Sequence, residues 1–319
     1  MAVGILLVGG FGTRLMPLTR DTPKPMLPIA GLPVTEHQIA MAKKAGVTHL
    51  VLATSYLSEV FIPYFGDGSK WGIKLSYAVE ETPLGTGGAI RNAAKLLNND
   101  EPIVILNGDV LSSHNLAEQI SQHLNHNADV TLHLTHVDDA RAYGCVPLDA
   151  QGRVTAFLEK MDNPVANTIN AGCYVFNPSV IEMIPDNEVV SIERDTFPKL
   201  VEKGRAVYGY VEDSYWLDIG TPAALLKGSA DFVGQEFGAA EGAQIASDAK
   251  LTGGTFIVED TTVESGAAIS ASIIGKSVTV GNGAVIDKCF VADGTQIPAT
   301  QVVIVPPDAG RTANVPRLP

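Results

Sequence analysis

Residues Gly9 to Gly31 read GGFGTRLMPLTRDTPKPMLPIAG, a glycine-rich turn set directly after an apolar run, with the cations Arg14 and Lys24 inside it. In such a turn backbone N–H groups approach a polyphosphate without obstruction from side chains and form an anion-binding concavity. A guanidinium and an ammonium in the same loop then neutralise phosphate oxygens. Glycine-rich turns also serve purely as tight connections, so the surrounding pattern has to decide. The segment holds no GxxxxGK[ST], and the GxGxxG register at Gly10 and Gly12 ends in Leu15 rather than glycine. A P-loop ATPase and a dinucleotide-binding dehydrogenase are therefore disfavoured.

Further along, Asp109 follows an apolar run in LNGDV, Asp218 sits in WLDIG, and Glu159 and Lys160 close FLEK. Taken singly, Asp109 is a turn residue as readily as a ligand, and Glu159 with Lys160 is readable as a surface ion pair. Glycine and small residues recur in PLGTGG, from Pro83 to Gly88, with Glu81 just before it, and in INAG, from Ile169 to Gly172.

Together these segments resemble the signature of the sugar-1-phosphate nucleotidyltransferases. GGFGTRLMPLT with PKPMLP carries the likeness, which continues in order through ETPLGTGGAI, LNGDV, FLEK, INAGCYVF and YWLDIGTP over roughly residues 1–235. The resemblance implies transfer of a nucleotidyl group from a nucleoside triphosphate to a sugar 1-phosphate, with release of pyrophosphate. It implies Mg2+ held by Asp109 and Asp218, hard oxygen donors that suit an ion which keeps water and phosphate as its other ligands. By the same resemblance the nucleotide lies along Gly9, Gly10, Gly12, Thr13, Arg14, Asn107 and Gly108. Its base is read by Pro83, Gly85 and Gly88, and Glu81 either faces the base or is simply solvated. Glu159 contacts sugar hydroxyls and Lys160 the sugar phosphate, while Gly144, Asn170, Ala171 and Gly172 form the sugar pocket or an ordinary turn and strand. The familiar EKP is interrupted by Met161. PKPMLP, FLEK, INAGCYVF and SIERDTFP are most similar to the branch that uses GTP and mannose 1-phosphate. Rival readings are a thymidylyl- or uridylyltransferase for glucose 1-phosphate, and a catalytically silent sensor of nucleotide sugars.

The reaction asks little of acid–base side chains, because a sugar 1-phosphate is already largely a dianion near neutral pH. Catalysis then reduces to alignment and charge neutralisation by Mg2+, Arg14 and Lys24. No Ser/His/Asp or Cys/His constellation is demanded.

The elements that must position these residues follow from periodicity. Short Val/Ile/Leu runs at 5–8, 49–53 and 103–106 alternate with helical stretches at 34–45 and 89–97, the order of an α/β, Rossmann-like domain with a mainly parallel sheet. The alternation in DVTLHLTHV predicts a half-covered strand over 128–137, with Thr131, His133 and Thr135 outward. Strands are expected near 154–158, 171–176, 206–211 and 215–217, and helices near 195–203 and 222–233. After Gly234 aliphatic residues recur every six positions, at Ile245, Leu251, Ile257, Val263 and Ile269, then Ile274, Val280 and Ile286, then Val291, Ile297 and Val303. The register slips by one residue between groups. That spacing predicts a short left-handed parallel β-helix of roughly three coils. The expected division is a catalytic domain over 1–235 and the β-helix over 236–319.

The 319 residues carry a net charge of −13 with no compensating basic block, which argues against nucleic-acid binding. Cys145, Cys173 and Cys289 lack CxxC or histidine-spaced partners, fitting a reducing compartment rather than disulfides or zinc. The apolar run at 3–8 is too short for a membrane span and lacks a basic leader, so a cytoplasmic protein is expected. All seven histidines lie at or before His136, leaving the β-helix no imidazole for acyl transfer. The β-helix is expected to assemble a homo-oligomer or carry an allosteric function.

Overall fold

The computed structural model describes residues 2–55, 57–97, 101–304 and 314–315, so the end of the expected β-helix domain, 305–313 and 316–319, lies outside the described residues. The chain forms two compact units: Met1–Phe11 with Thr35–Trp216, and Gly12–Val34 with Leu217–Pro319.

The first unit is built on strands β1 (Ala2–Leu7), β2 (Val47–Thr54), β3 (Lys74–Val79), β4 (Ile103–Asn107), β5 (Val130–His136), β6 (Thr168–Phe176) and β7 (Val207–Val211). Their order in the sheet is β3-β2-β1-β4-β6-β5-β7. The first four run parallel, β6 lies antiparallel to both β4 and β5, and β7 is parallel to β5. Helices α1 (Val34–Lys44), α2 (Gly85–Ala94), α3 (Leu116–Asn125) and α4 (Phe197–Glu202) accompany these strands in sequence. The near-continuous aliphatic character of β1 and β4 matches strands buried on both faces, and Ile5, Val51, Ile103, Ile105, Leu132 and Phe176 share one core.

Leu7 is in register with Ala53 on one side and Asn107 on the other. The carboxyl ends of β1 and β4 thus stand side by side, and Gly9–Gly10 and Gly108–Asp109 leave the sheet at neighbouring positions. In open parallel sheets this edge is where ligands bind.

Four local expectations are corrected. The helix expected over 89–97 begins four residues earlier, at Gly85, and ends at Ala94, because the glycines of PLGTGG form its first turn against the chain at 188–190. The strand expected at 154–158 reduces to isolated bridges, Leu148 with Val154 and Arg153 with Tyr208, and a short pairing of Leu158–Glu159 with Gly144–Cys145. The helix expected at 195–203 opens as a π turn, Ile192–Thr196, and becomes α-helical only at Phe197.

Strand β5, expected to be half-covered, is buried on both faces, with Thr131, His133 and Thr135 at most 4% exposed. The reason is polar partners buried beside its second face. Gln119 of α3 donates to the Thr131 carbonyl at 3.1 Å, His123 Nδ1 lies 3.0 Å from Thr131 Oγ1, and the His114 ring stacks on His133 at 3.8 Å. A polar alternation reads as solvent-facing only when no helix supplies hydrogen bonds to it.

The second unit carries helix α5 (Pro222–Val233), capped by Thr221, whose Oγ1 accepts from Ala224 N at 3.2 Å. Ser229 on this helix accepts from Ala30 N at 3.1 Å, and a Cβ on Gly31 would collide with Phe256, so the end of the 12–34 loop packs on α5 and on the strand Thr255–Ile257. Three parallel sheets then form a left-handed β-helix, the fold expected from the six-residue spacing. Ile245 pairs with Val263 and Leu251 with Ile269, eighteen residues apart, while Ile257 pairs with Ile274 and Ile274 with Val291, seventeen apart. The one-residue slip between groups is therefore a shortened corner. Ile257, Val263, Ile269, Ile274, Val280, Ile286, Val291, Ile297 and Val303 form its core.

Burial lowers the pKa of His114 and His123 to about 4 and that of His133 to about 3, the last helped by the His114 charge. These rings take up protons more readily in the unfolded chain, whose histidines titrate near 6.5. Their contribution to stability is complete above that pH and is lost as pH falls toward 4, by about 1.4 kcal/mol per pH unit for each ring. Urea unfolding at pH 7 and pH 5 will show the loss, and His133→Phe, which keeps a stacked ring but removes its titration, will reduce it.

Candidate active site

The turn that presents Asp109 is fixed from several directions within the first unit. Gly108 N donates to Leu7 O at 2.9 Å, and a Cβ at Gly108 would lie 2.3 Å from that same carbonyl, so only glycine fits. Gln38 of α1 donates through Nε2 to Asn107 O at 2.6 Å and Val110 O at 2.8 Å. Asp109 itself is half-buried. Beside it, Gly10 adopts φ +119°, in the region that favours glycine, and a Cβ on Gly9 would lie 2.8 Å from Ser55 Oγ.

The segments expected to hold the sugar also belong to this unit. Glu159 pairs with Gly144, and a Cβ on Gly144 would be 3.0 Å from Glu159 Oε2. Lys160 is exposed and adopts φ +45°, with its N–H donated to Tyr143 O at 3.2 Å. Asn170 Nδ2 donates to the Tyr174 hydroxyl at 2.9 Å and its Oδ1 accepts from Gly172 N at 3.1 Å. The Tyr174 hydroxyl also hydrogen-bonds the Asn107 side chain, and burial pushes its pKa well above the ordinary value. Trp216 Nε1 donates to Ala171 O at 2.9 Å, and its ring meets Tyr143 edge-on at 5.4 Å. Asn107, Asn170, Ala171 and Gly172 are thereby one connected group. A hairpin joins Gly144 to Glu159, and Trp216 links Ala171 to Tyr143, whose carbonyl holds Lys160.

The glycines of PLGTGG have a packing cause. A Cβ on Gly85 would stand 2.6 Å from Val190 O and one on Gly88 2.6 Å from Glu188 O, while Gly87 N donates to Val190 O at 2.8 Å. Thr86 Oγ1 donates to Glu193 at 2.8 Å. Pro83 and Glu81 are exposed. Glu80, which sequence reasoning passed over, turns inward: its Oε2 accepts from Leu84 N at 3.3 Å, and burial raises its pKa.

In the second unit the signature loop brings its charges together. Gly12, at φ +58°, accepts from Thr19 Oγ1 through its carbonyl at 2.9 Å, and a Cβ there would press on Thr19 and Lys24. Thr13 and Arg14 follow in a short 3-10 turn. Lys24 is buried and reaches Asp218 at 3.9 Å, while Gly220 N donates to Asp218 Oδ1 at 2.8 Å. A Cβ on Gly220 would lie 2.7 Å from Arg14 Nη2 and 3.0 Å from Asp218 Oδ1, so guanidinium and carboxylate flank one glycine. Two cations and a carboxylate gathered by one loop and one strand end can hold a phosphate group and a metal ion.

The family described as "Nucleotidyl transferase" matches residues 3–234, and that described as "GlmU-like, C-terminal hexapeptide" matches 228–313. The chain belongs to the nucleotidyl transferase family, with a hexapeptide β-helix following the transferase region. Within it, the chain is 46% identical over 304 residues to a mannose-1-phosphate guanylyltransferase of Mycobacterium tuberculosis, covering 94% of this chain and 82% of that protein. It is 37% identical to mannose-1-phosphate guanylyltransferase 1 of Arabidopsis thaliana, over 92% of this chain and 82% of that protein. Among solved structures, HddC of Yersinia pseudotuberculosis superposes with a TM-score of 0.64 at 30% identity, over 73% of this chain and all of that one.

Gln38 and Glu80 carried no signal in the sequence, because the backbone groups they meet are set by the fold and no motif marks them. The packing at Gly108 leads to a direct prediction. Gly108→Ala must displace Leu7 or the turn itself, and turnover is expected to fall at least about tenfold, as misplacement of a positioned group does. Steady-state kinetics beside a circular dichroism spectrum will separate this from unfolding.

Proposed function

We propose that this chain transfers the guanylyl group of GTP to mannose 1-phosphate, giving GDP-mannose and pyrophosphate. The observation that carries the reading is the signature loop, whose fold sets Lys24 on Asp218 and flanks Gly220 with Arg14 and Asp218. The family membership and the relatives named mannose-1-phosphate guanylyltransferase support the choice of substrates.

A phosphate oxygen of the sugar 1-phosphate attacks the α-phosphorus of GTP in line with the leaving group. The new bond is O–Pα, the bond broken joins Pα to the β-phosphate oxygen, and pyrophosphate departs with the electron pair. Gly9, Gly10, Gly12 and Thr13 offer main-chain N–H groups to the triphosphate, and Arg14 and Lys24 neutralise it. Asn107 and Gly108 border the nucleotide, and the 83–88 segment faces the base. Glu159 binds sugar hydroxyls, Lys160 the sugar phosphate, and Gly144, Asn170, Ala171 and Gly172 shape the pocket. The positive φ of Lys160 supports that role, since a non-glycine residue held there costs of order 1 kcal/mol and such strain gathers at functional sites.

Members of this family use a divalent metal. Here the donors are the carboxylates of Asp109 and Asp218, whose hard oxygens fit Mg2+. Bound Mg2+ would neutralise phosphate charge and draw electron density from the α-phosphorus.

We assign catalysis to residues 1–235 and assembly of a homo-oligomer to the β-helix over 236–319. The reaction is placed in the cytoplasm, a reading supported by three buried cysteines that form no disulfide among the described residues.

Pyrophosphate release with Mg2+, crossing GTP, dTTP, UTP and ATP against mannose 1-phosphate and glucose 1-phosphate, tests the proposal. GTP with mannose 1-phosphate is expected to be the best pair, and preference for another pair would move the substrate assignment. Silence in every pair from folded protein that still binds a nucleotide sugar would point to a regulatory role. Asp109→Asn, which keeps shape and removes charge, is expected to lower turnover at least about a hundredfold. Near-normal turnover would remove Asp109 from the metal.

A further inference from the structure

The turn that carries Asp109 is tied at both ends to one side chain from a distant helix. Gln38 of α1 is 4% exposed, and its Nε2 donates to Asn107 O at 2.6 Å and to Val110 O at 2.8 Å. These carbonyls lie two residues before and one after Asp109, and they are 69 and 72 residues from Gln38 along the chain. Both partners are acceptors, so the amide orientation is fixed: Oε1 in the same place would face two carbonyl oxygens. Gln38 Oε1 is buried and has no hydrogen-bond partner among the described residues. The amide thus commits both N–H groups to the two carbonyls that bracket Asp109.

From these contacts we infer that Gln38 is a positioning residue for the metal-binding carboxylate. Its carboxamide pins the carbonyls on either side of Asp109 and so sets where that carboxylate stands. The turn is held to the sheet by Gly108 N on Leu7 O at 2.9 Å, and Gln38 fixes it from the helix side. Gln38 is buried away from solvent and acts through Asp109. The inference rests on the reading of Asp109 as a metal ligand.

Gln38→Met keeps length and removes both donors, and Gln38→Glu replaces them with acceptors. Each is made in the parent chain and together with Asp109→Asn. The readouts are kcat, KM for mannose 1-phosphate, and Mn2+ binding in the presence of GTP, followed by the paramagnetic resonance of free Mn2+. Gln38→Met is expected to weaken Mn2+ binding and lower kcat by about tenfold or more each, in line with loss of a group that orients a metal ligand. KM for mannose 1-phosphate should stay within about twofold, since uniform substrate binding is untouched. In the Asp109→Asn background Gln38→Met should cost nothing further, because the two residues act as one unit.

Equal losses in both backgrounds would make Gln38 merely structural and overturn the inference, as would unchanged Mn2+ affinity in Gln38→Met. If Asp109→Asn alone retains Mn2+ affinity and turnover, the metal reading itself fails and Gln38 falls with it, a result distinct from the first two. Should Gln38→Met fail to fold, Gln38→Glu decides. Its neutral acid can donate one hydrogen bond, so its activity relative to the parent should rise as pH falls, and a flat ratio would overturn the inference.

Discussion

The N–H of Gly108 gives its hydrogen bond to the carbonyl of Leu7, and the gap between them leaves no room for a Cβ. That contact closes the edge where β1 and β4 end together. Everything assigned to the triphosphate in the first unit leaves the sheet within two or three residues of it: Gly9 and Gly10 from β1, Asn107, Gly108 and Asp109 from β4. The parallel pairing makes this possible, because it brings two chain segments about one hundred residues apart to the same end of the sheet. An antiparallel partner would have sent one of them to the opposite end.

A chain of net charge −13 that binds polyanions needs its cations local and held. The residues proposed to meet that need, Arg14 and Lys24, lie inside one loop, and the loop also bears on Asp218. The Lys24 to Asp218 separation of 3.9 Å, with Asp218 about a third exposed, gives an ion pair of little worth to stability, typically below about 1 kcal/mol. Its consequence is geometric. Burial would penalise the ammonium without a nearby carboxylate. The pair therefore keeps a charged group poised in a place that a neutral side chain would fill more easily.

Much of this was legible in the sequence, and the limits have physical causes. The six-residue recurrence of aliphatics predicts the β-helix because each such residue points inward at one corner-to-corner strand, and even the slip at Ile269 to Ile274 is visible as a seventeen-residue coil. The parallel order followed from aliphatic runs alternating with helical stretches. The second face of β5 was not legible, because Thr131 and His133 meet Gln119 and His114, partners that only the tertiary fold supplies. PLGTGG was recognisable as a glycine cluster, yet the pressure on Gly85 and Gly88 comes from carbonyls of Val190 and Glu188, about a hundred residues away. Gln38 is a helix residue with no motif, and its importance lies wholly in two carbonyls across the fold.

Asn107 is the point where these constraints meet. Its backbone carbonyl is held by Gln38, its side chain meets the Tyr174 hydroxyl, and Asn170 bonds that same hydroxyl. Gly172 sits against the Asn107 amide at φ +76°, where a Cβ would lie 3.0 Å from Nδ2. Tyr174 is fully buried, so its hydroxyl stays neutral and serves as a fixed hub between the two amides. A shift of the INAG segment would therefore be felt at Asn107, two residues before Asp109. The strand that presents Asp109 and the strand proposed to line the sugar pocket are coupled through the neutral hydroxyl of a buried tyrosine. There the loss of one partner leaves the others unsatisfied, so a change at Tyr174 would disturb both functions together.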